Sequence, residues 1–146
     1  MSNFYITTPL YYVNDKPHIG HAYTTILADV IARHHRIMGD NVHFLTGTDE
    51  HGQKIQEAAS KRNISPKEHV DEFVIRFQDL WKKLNIKHDD FIRTTEKRHT
   101  NRVKEFLVLL YEKGEIYSAE YEGLYSVSEE RFVTEKEVEE GGFREI

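Results

Sequence analysis

The chain alternates between short apolar runs, typical of strands, and longer segments with apolar residues every three or four positions, typical of helices. Strands are predicted at residues 3–7 and 42–46, with a helix between them at 20–38 that ends at Gly39-Asp40-Asn41. A strand, a helix and a strand within about 45 residues predict a right-handed βαβ unit. The loops after the two strands should therefore meet at the same edge of a parallel sheet.

Two more helices are predicted downstream of this unit. The first is short and covers residues 53–62. The second begins with Ser65 as N-cap, has Pro66 in its first turn, and has Glu68 to complete a capping box. Its apolar residues recur at helical spacing, which predicts an inward face and gives Trp81 a packing role. The residues of that face are Val70, Phe73, Val74, Phe77, Leu80, Trp81 and Leu84.

The next segment combines a short strand candidate at 91–94 with a long helix at 96–113 that ends at Gly114. Four apolar residues of the helix are predicted to face inward, namely Val103, Phe106, Leu107 and Leu110. The pattern changes after this helix, so we place a domain boundary near Gly114.

Short runs rich in aromatic residues follow the boundary and predict strands at 116–119, 121–127 and 131–132. Residues 134–138 are typical of a capped helical turn. The segment from residue 115 onward is therefore expected to be a small, β-rich region.

Composition bounds the class of protein. The 146 residues suffice for one modest core, and 38% hydrophobic and 31% charged residues are ordinary for a globular chain. The net charge of −5 gives no global signal for nucleic acid. Without cysteine, neither disulfides nor thiolate metal sites are possible. No membrane span and no signal peptide are predicted, so we expect a cytoplasmic protein, with an organellar one as the alternative.

Two imidazoles occupy the turn between the first strand and the first helix. His18 and His21 are three residues apart, so both can face the same side where the helix begins. A helix N-terminus favours anions, and imidazole N–H groups can donate to phosphate oxygens. Gly20 has no side chain, so a flat ring can lie close to the backbone there. The turn thus predicts a nucleotide site; the alternative is two polar residues on a loop.

The segment Pro17–His21 resembles the HIGH motif of class I aminoacyl-tRNA synthetases. Its flank, Ile6–Asn14, resembles the methionyl-tRNA synthetases in particular, and so does a second block, Phe44–Lys54. The resemblance runs along nearly the whole chain, which corresponds only to the start of such an enzyme. It implies an α/β fold: residues 1–114 as the first half of a Rossmann-like nucleotide-binding domain, and 115–146 as the beginning of the connective insertion.

The resemblance implies a reaction and a set of substrates. Methionine is joined to the α-phosphate of ATP with Mg²⁺ present, pyrophosphate is released, and the aminoacyl group passes to tRNA. His18 and His21 would be catalytic and would bind ATP phosphates, while Gly20 would lie under the adenine. Contacts with tRNA would be made mainly by the remainder of the synthetase polypeptide.

The family pattern also assigns the methionine pocket. Tyr12 would form part of its hydrophobic wall, and Leu10 would contact methionine through its backbone. Asp49 would bind the α-ammonium group. A carboxylate at a strand end that faces the ATP loop suits an ammonium ion. The alternative for Asp49 is a cap on the following helix. His51 is a possible neighbour of the site, whereas the remaining histidines are expected to have surface or packing roles.

One departure from the family concerns zinc. Many members have a pair of cysteines in the insertion, and here Ser126 and Glu129 occupy those positions. Phe143 and Ile146 have the same spacing where a second pair could fall, and neither is a ligand. We therefore expect no zinc and no resident metal site.

Other functions remain open at this stage. The leucyl, isoleucyl, valyl and cysteinyl synthetases are rivals of the same class, and the segment Thr8–Asn14 argues against them. A small nucleotidyltransferase with a His-x-x-His turn is a second alternative. The third is a non-catalytic synthetase fragment or paralogue, because a Lys-rich second signature loop is absent.

Overall fold

A computed structural model describes residues 2–126 and 129–141. The chain divides into two compact units, one up to Glu105 and the other from Phe106. The predicted boundary at Gly114, between a catalytic half-domain and an insertion, remains a prediction.

The first unit is built on a parallel sheet of four strands. They are β1 (Asn3–Thr7), β2 (Tyr11–Tyr12), β3 (Asn41–Asp49) and β4 (Asp90–Arg93). β3 is central, with β1 and then β2 along one side and β4 along the other. The predicted strand–helix–strand unit is confirmed, because β1 and β3 pair in parallel with a helix between them.

Four helices connect or follow these strands. They are α1 (Ile19–Ile37), α2 (Gln53–Lys61), α3 (Pro66–Lys83) and α4 (Lys97–Glu112). The predicted capping box of α3 is confirmed, because Ser65 Oγ accepts from the Glu68 N–H at 3.2 Å and the Glu68 carboxylate accepts from the Ser65 N–H at 2.9 Å. None of the helices among the described residues is long and apolar enough to cross a membrane.

The core of the first unit lies between the sheet and helices α1, α2 and α3. Its largest fully buried side chains include Phe44, Phe77 and Trp81. Trp81 is 1% exposed and packs against Tyr11 and Phe77, so its predicted packing role is confirmed.

A close approach between β3 and β4 depends on Gly47. A Cβ added to this residue would lie 2.0 Å from the carbonyl oxygen of Ile92, a distance that real Cβ atoms do not reach. The absence of a side chain therefore allows β3 and β4 to pair directly below their carboxyl ends.

Helix α1 presents small and polar residues to the interior. Its buried residues are Thr25, Ala28, Asp29 and Ala32. Three of its larger apolar residues are instead exposed, with Ile26 at 41%, Leu27 at 50% and Val30 at 56%. The helix itself was predicted correctly. Its large apolar side chains, however, do not form the face that is buried in the described chain.

Helix α4 departs from its predicted packing. Val103, Phe106 and Leu107 are 40–60% exposed and Leu110 is half-buried, and no residue of the helix is buried. The expectation of an inward-facing set was therefore wrong for this chain, because no described element covers that face.

The second unit contains a short antiparallel pair, β5 (Leu124–Ser126) and β6 (Arg131–Val133), followed by α5 (Glu135–Gly141). Thr134 and Glu137 form the predicted cap of α5. The prediction of a strand at 116–119 is wrong, because those residues pair with no described strand. The one predicted at 121–127 is shorter, and residue 127 lies outside the described residues.

Candidate functional site

The two histidines of the turn cap helix α1 through each other. His18 is the N-cap, and its Nδ1 accepts from the Gly20 N–H at 3.1 Å. His21 Nδ1 accepts in return from the His18 N–H at 3.1 Å. The rings stack with their centroids 3.8 Å apart, so they lie on the same side of the helix as the three-residue spacing predicts.

This reciprocal cap determines where each ring carries its proton. A backbone N–H can only donate, so both Nδ1 atoms must be acceptors, and in a neutral ring the proton is then on Nε2. Both Nε2–H groups remain as donors. Burial, followed by the proximity of His18, lowers the pKa of His21 below its ordinary value, which favours the neutral ring.

Gly20 lies directly beneath the ring of His18. A Cβ at Gly20 would lie 2.9 Å from His18 Cε1, so a side chain there would displace the capping ring. The sequence predicted that a flat ring could lie close to this backbone, and in this structure that ring is the imidazole of His18. The predicted contact of Gly20 with adenine remains a prediction.

The adjacent tyrosines have opposite environments. Tyr11 is 6% exposed, shares a 2.8 Å hydrogen bond with Thr25 Oγ1, and packs edge-on against the His21 ring at 4.9 Å. Tyr12 is 41% exposed. Tyr11 therefore packs and orients the histidine turn, and Tyr12 remains accessible to a ligand.

A cleft of about 500 Å³ brings four of the predicted site residues together, namely Leu10, Tyr12, His18 and His21. Asn14, Lys16 and Lys54 line the same cleft, and the sequence analysis missed all three. Their signal was position: Asn14 ends the flank of the first motif, Lys16 directly precedes that motif, and Lys54 closes the second block. The cleft is also lined by Asp15, so its two lysines and two N–H donors outnumber one carboxylate, a balance that suits an anionic ligand.

Asp49 lies at the carboxyl edge, which is the side of the sheet where the parallel strands end. It is the register partner of Tyr12, although it does not line the cleft. Its Oδ1 accepts from the His51 N–H at 3.3 Å and from Thr94 Oγ1 at 3.4 Å. Helix α2 has Gly52 as N-cap and no side-chain cap, so the alternative that Asp49 caps this helix is wrong.

His51, the predicted neighbour, lies beside the same loop. Its ring Nε2 is 3.4 Å from the Thr94 carbonyl oxygen, and the residue is exposed. The structure thus places His51 next to Asp49 and Thr94 and gives it no contact with the cleft.

A buried ion pair at the carboxyl edge was also missed. The Glu50 carboxylate is fully buried and accepts from Arg93 Nε at 2.6 Å, and Arg93 also donates to Asp71 at 2.6 Å. Burial alone would lower the pKa of Arg93, but its hydrogen bonds to Glu50 and Asp71 outweigh burial and raise it. No local pattern signals this pair, because its members are 43 residues apart.

His69 anchors the segment that follows β2. It is 1% exposed, its Nδ1 lies 3.3 Å from the Arg62 guanidinium, and its Nε2 lies 3.0 Å from the carbonyl oxygen of Val13. Because arginine only donates, His69 Nδ1 accepts and Nε2 donates to Val13. The expected packing role of this histidine is confirmed, and it positions the start of the loop that carries His18.

Within residues 2–126 and 129–138, no three His, Cys, Asp or Glu side chains are grouped so that they could hold a metal ion. Ser126 and Glu129 contact each other instead, with the Glu129 N–H donating to Ser126 Oγ at 3.3 Å. Phe143 and Ile146, the other two positions considered for zinc, lie outside the described residues. The expectation of no zinc remains a prediction.

The fold and the histidine turn together define a class of protein, and comparison with known families agrees. Residues 4–141 match the family described as tRNA synthetases class I (M), and the chain belongs to this family. Its similar proteins include the methionine–tRNA ligase of Halalkalibacterium halodurans, 55% identical over 135 residues. The methionine–tRNA ligase of Listeria monocytogenes serovar 1/2a is 56% identical over 139 residues.

A solved structure has the same fold. The Mycobacterium tuberculosis methionyl-tRNA synthetase in complex with methionyl-adenylate superposes with a TM-score of 0.90 at 42% identity. This match covers 94% of the present chain and 27% of that protein. The chain covers only 20–21% of the two ligases above. The expectations of a Rossmann-like synthetase fold and of correspondence to only a part of such an enzyme are confirmed.

Proposed function

We propose that this chain contributes the ATP and methionine half-site of a methionine–tRNA ligase. In the complete enzyme it would serve to form methionyl-adenylate from methionine and ATP and to transfer the methionyl group to tRNA. The observation that carries the proposal is the register of the carboxyl edge. Tyr12 and Asp49 are direct partners on neighbouring strands, and Tyr12 shares one cleft with both histidines.

The role of the histidines follows from their tautomer. Neutral Nε2–H groups of His18 and His21 would donate to ATP phosphate oxygens, and these bonds strengthen as negative charge develops on them. Their Nδ1 atoms are occupied by the helix cap, so the donors are preorganised before ATP arrives. Lys16 and Lys54, which line the same cleft, would add positive charge to it.

Methionine would lie between the two loops of the edge. Asp49 would bind its ammonium group, while Leu10 and Tyr12 would form one wall of its pocket, and its carboxylate would then point toward the α-phosphate. Because the methionine carboxylate is the nucleophile, holding the ammonium fixes its direction of attack.

The proposal extends to the metal, the tRNA and the cellular location. We treat Mg²⁺ as part of the ATP substrate and assign no step to a metal bound by this chain. Transfer RNA would be bound mainly by other parts of a longer polypeptide, since this chain has a net charge of −5. A cytoplasmic location is proposed from the class of enzyme.

A chimaera tests the proposed function. Residues 4–141 of this chain would replace the matched segment of the Listeria monocytogenes ligase, referred to below as the chimaera. We expect methionine-dependent exchange of pyrophosphate into ATP, with the same protein without methionine as the control. A folded chimaera without exchange would contradict the proposal, and exchange that does not need methionine would favour the nucleotidyltransferase alternative.

The 146-residue chain by itself should show only background exchange. It has the apolar faces of α1 and α4 exposed and spans about a fifth of the ligases it matches. The missing part would supply the rest of the methionine pocket. Robust methionine-dependent exchange by the purified chain would show instead that the half-site is self-sufficient.

A further inference from the structure

The Glu50 carboxylate connects the ends of two strands. Its side chain is fully buried and accepts hydrogen bonds from three donors. One is Thr48 Oγ1 on β3, at 2.8 Å, and the second is Arg93 Nε at the end of β4, at 2.6 Å. The third donor is the hydroxyl of Thr95, two residues beyond Arg93. One carboxylate thus ties β3 to the chain that leaves β4.

The backbone of Glu50 continues this connection toward Asp49. The Glu50 N–H donates to Thr94 Oγ1 at 2.8 Å. A carboxylate oxygen accepts, so the same Thr94 hydroxyl donates its own proton to Asp49 Oδ1, at 3.4 Å. Thr94 is 7% exposed, and its N–H donates to the Thr48 carbonyl at 3.2 Å, so its position is fixed from both strands.

We propose that Glu50 and Thr94 are positioning residues for the methionine ammonium: the buried Glu50–Arg93 clamp holds the two strand ends together, and the Thr94 hydroxyl orients the Asp49 carboxylate. This inference rests on the proposed role of Asp49. Neither residue contacts methionine itself. They would affect the orientation of the Asp49 carboxylate. When one carboxylate oxygen is held by a hydroxyl, the other oxygen is presented to the cation.

Burying a charged pair is not required for stability alone, since a buried ion pair is often no better than apolar packing. The Glu50–Arg93 pair instead fixes the relative position of the two strand ends, and this geometry is lost if either partner is removed. Asp71, the second partner of Arg93, differs because it lies at the outer end of the network and is 41% exposed. The structure therefore offers an inner and an outer carboxylate on one guanidinium.

The experiment measures methionine and ATP affinities of chimaera variants by calorimetry. Glu50→Gln is expected to weaken methionine by about tenfold and Thr94→Val by about fivefold, each with ATP affinity unchanged within about twofold. Thr94→Ser retains the hydroxyl and should restore methionine affinity. Asp71→Asn is the matched control and should bind both substrates as the unmodified chimaera does.

A double-mutant cycle separates orientation of Asp49 from a general structural effect. If Glu50 and Thr94 act through Asp49, Glu50→Gln and Thr94→Val should cause no further loss in an Asp49→Ala background. Equal weakening of methionine and ATP, a loss that persists without Asp49, or equal affinities for Thr94→Val and Thr94→Ser would overturn the inference. If Glu50→Gln does not fold, the two Thr94 variants decide.

Failure of the proposed function has a different result. In that case the unmodified chimaera shows no methionine-dependent exchange, or Asp49→Ala leaves methionine affinity unchanged. The inference fails alone when exchange and the Asp49→Ala loss are both observed and the Glu50 and Thr94 variants have no selective effect on methionine.

Discussion

The two sides of the carboxyl edge differ in the side chains they carry: accessible imidazole rings on one side and a buried ion pair on the other. On the β2 side, His18 and His21 are partly exposed rings that are held by backbone N–H groups. On the β3–β4 side, the full charges of Glu50 and Arg93 are paired beneath the surface. The difference matches the two proposed tasks: side chains that donate to ATP would face changing charge and must stay accessible, whereas the support of Asp49 must not move.

The largest effect is expected from the accessible side. In the chimaera, His21→Ala should slow adenylate formation by roughly 10²–10³, the scale for losing one preorganised donor, measured by single-turnover kinetics. His34→Ala, on the exposed surface of the same helix, is the control. A rate within about threefold of the unmodified chimaera would remove His21 from the reaction.

The buried side should dominate stability. Glu50→Gln leaves Arg93 without its buried partner and should lower the free energy of unfolding of the chimaera by about 3 kcal/mol, the lower end for breaking a buried pair, since Arg93 is 21% exposed. Asp71→Asn should cost less than about 1 kcal/mol, because its side chain is 41% exposed and its ion pairs are screened by water. Similar losses in denaturant melts of both variants would show that burial does not distinguish the two carboxylates.

Asp49 lies between the two loops and should affect one substrate only. Asp49→Ala is expected to weaken methionine by roughly 10- to 150-fold, the equivalent of one charge-assisted hydrogen bond, and ATP far less. Calorimetric titration with each substrate measures the ratio. Equal weakening of both substrates would show that Asp49 supports the loop and does not bind the ammonium group.

The smallest effect is a pH dependence of the histidine cap. The pKa of folded His21 lies below its ordinary 6.5, so the unfolded chain takes up the proton more readily. Stability should therefore fall as pH drops below about 6.5 and should not change on this account above it. The thermal midpoint of the chimaera minus that of its His21→Asn variant isolates the contribution, and a difference that does not vary between pH 5.5 and 7.5 would contradict it.

Local patterns predicted those parts of the fold that are determined locally. The Ser65–Glu68 cap and the strand–helix–strand unit could be read from neighbouring residues, and the motif blocks predicted His18, His21 and Asp49 as site residues. The Glu50 clamp could not, since the burial of a carboxylate depends on residues more than 40 positions away. The buried face of α1 could not be predicted for another reason. The large apolar residues of this helix dominate the pattern, whereas its buried residues are small or polar.

Gly47 has a consequence for how this sequence can change over generations. A single-nucleotide change in a glycine codon commonly gives alanine, serine or another residue with a Cβ, and here that atom would meet the Ile92 carbonyl at 2.0 Å. Backbone cannot yield as a flexible side chain can, so every such allele should be lost. Gly39 and Gly114 have open space around a new Cβ and are limited only by φ values of 85° and 73°, which asparagine tolerates. Asparagine variants should therefore accumulate at positions 39 and 114 in a mutational scan, while position 47 stays glycine.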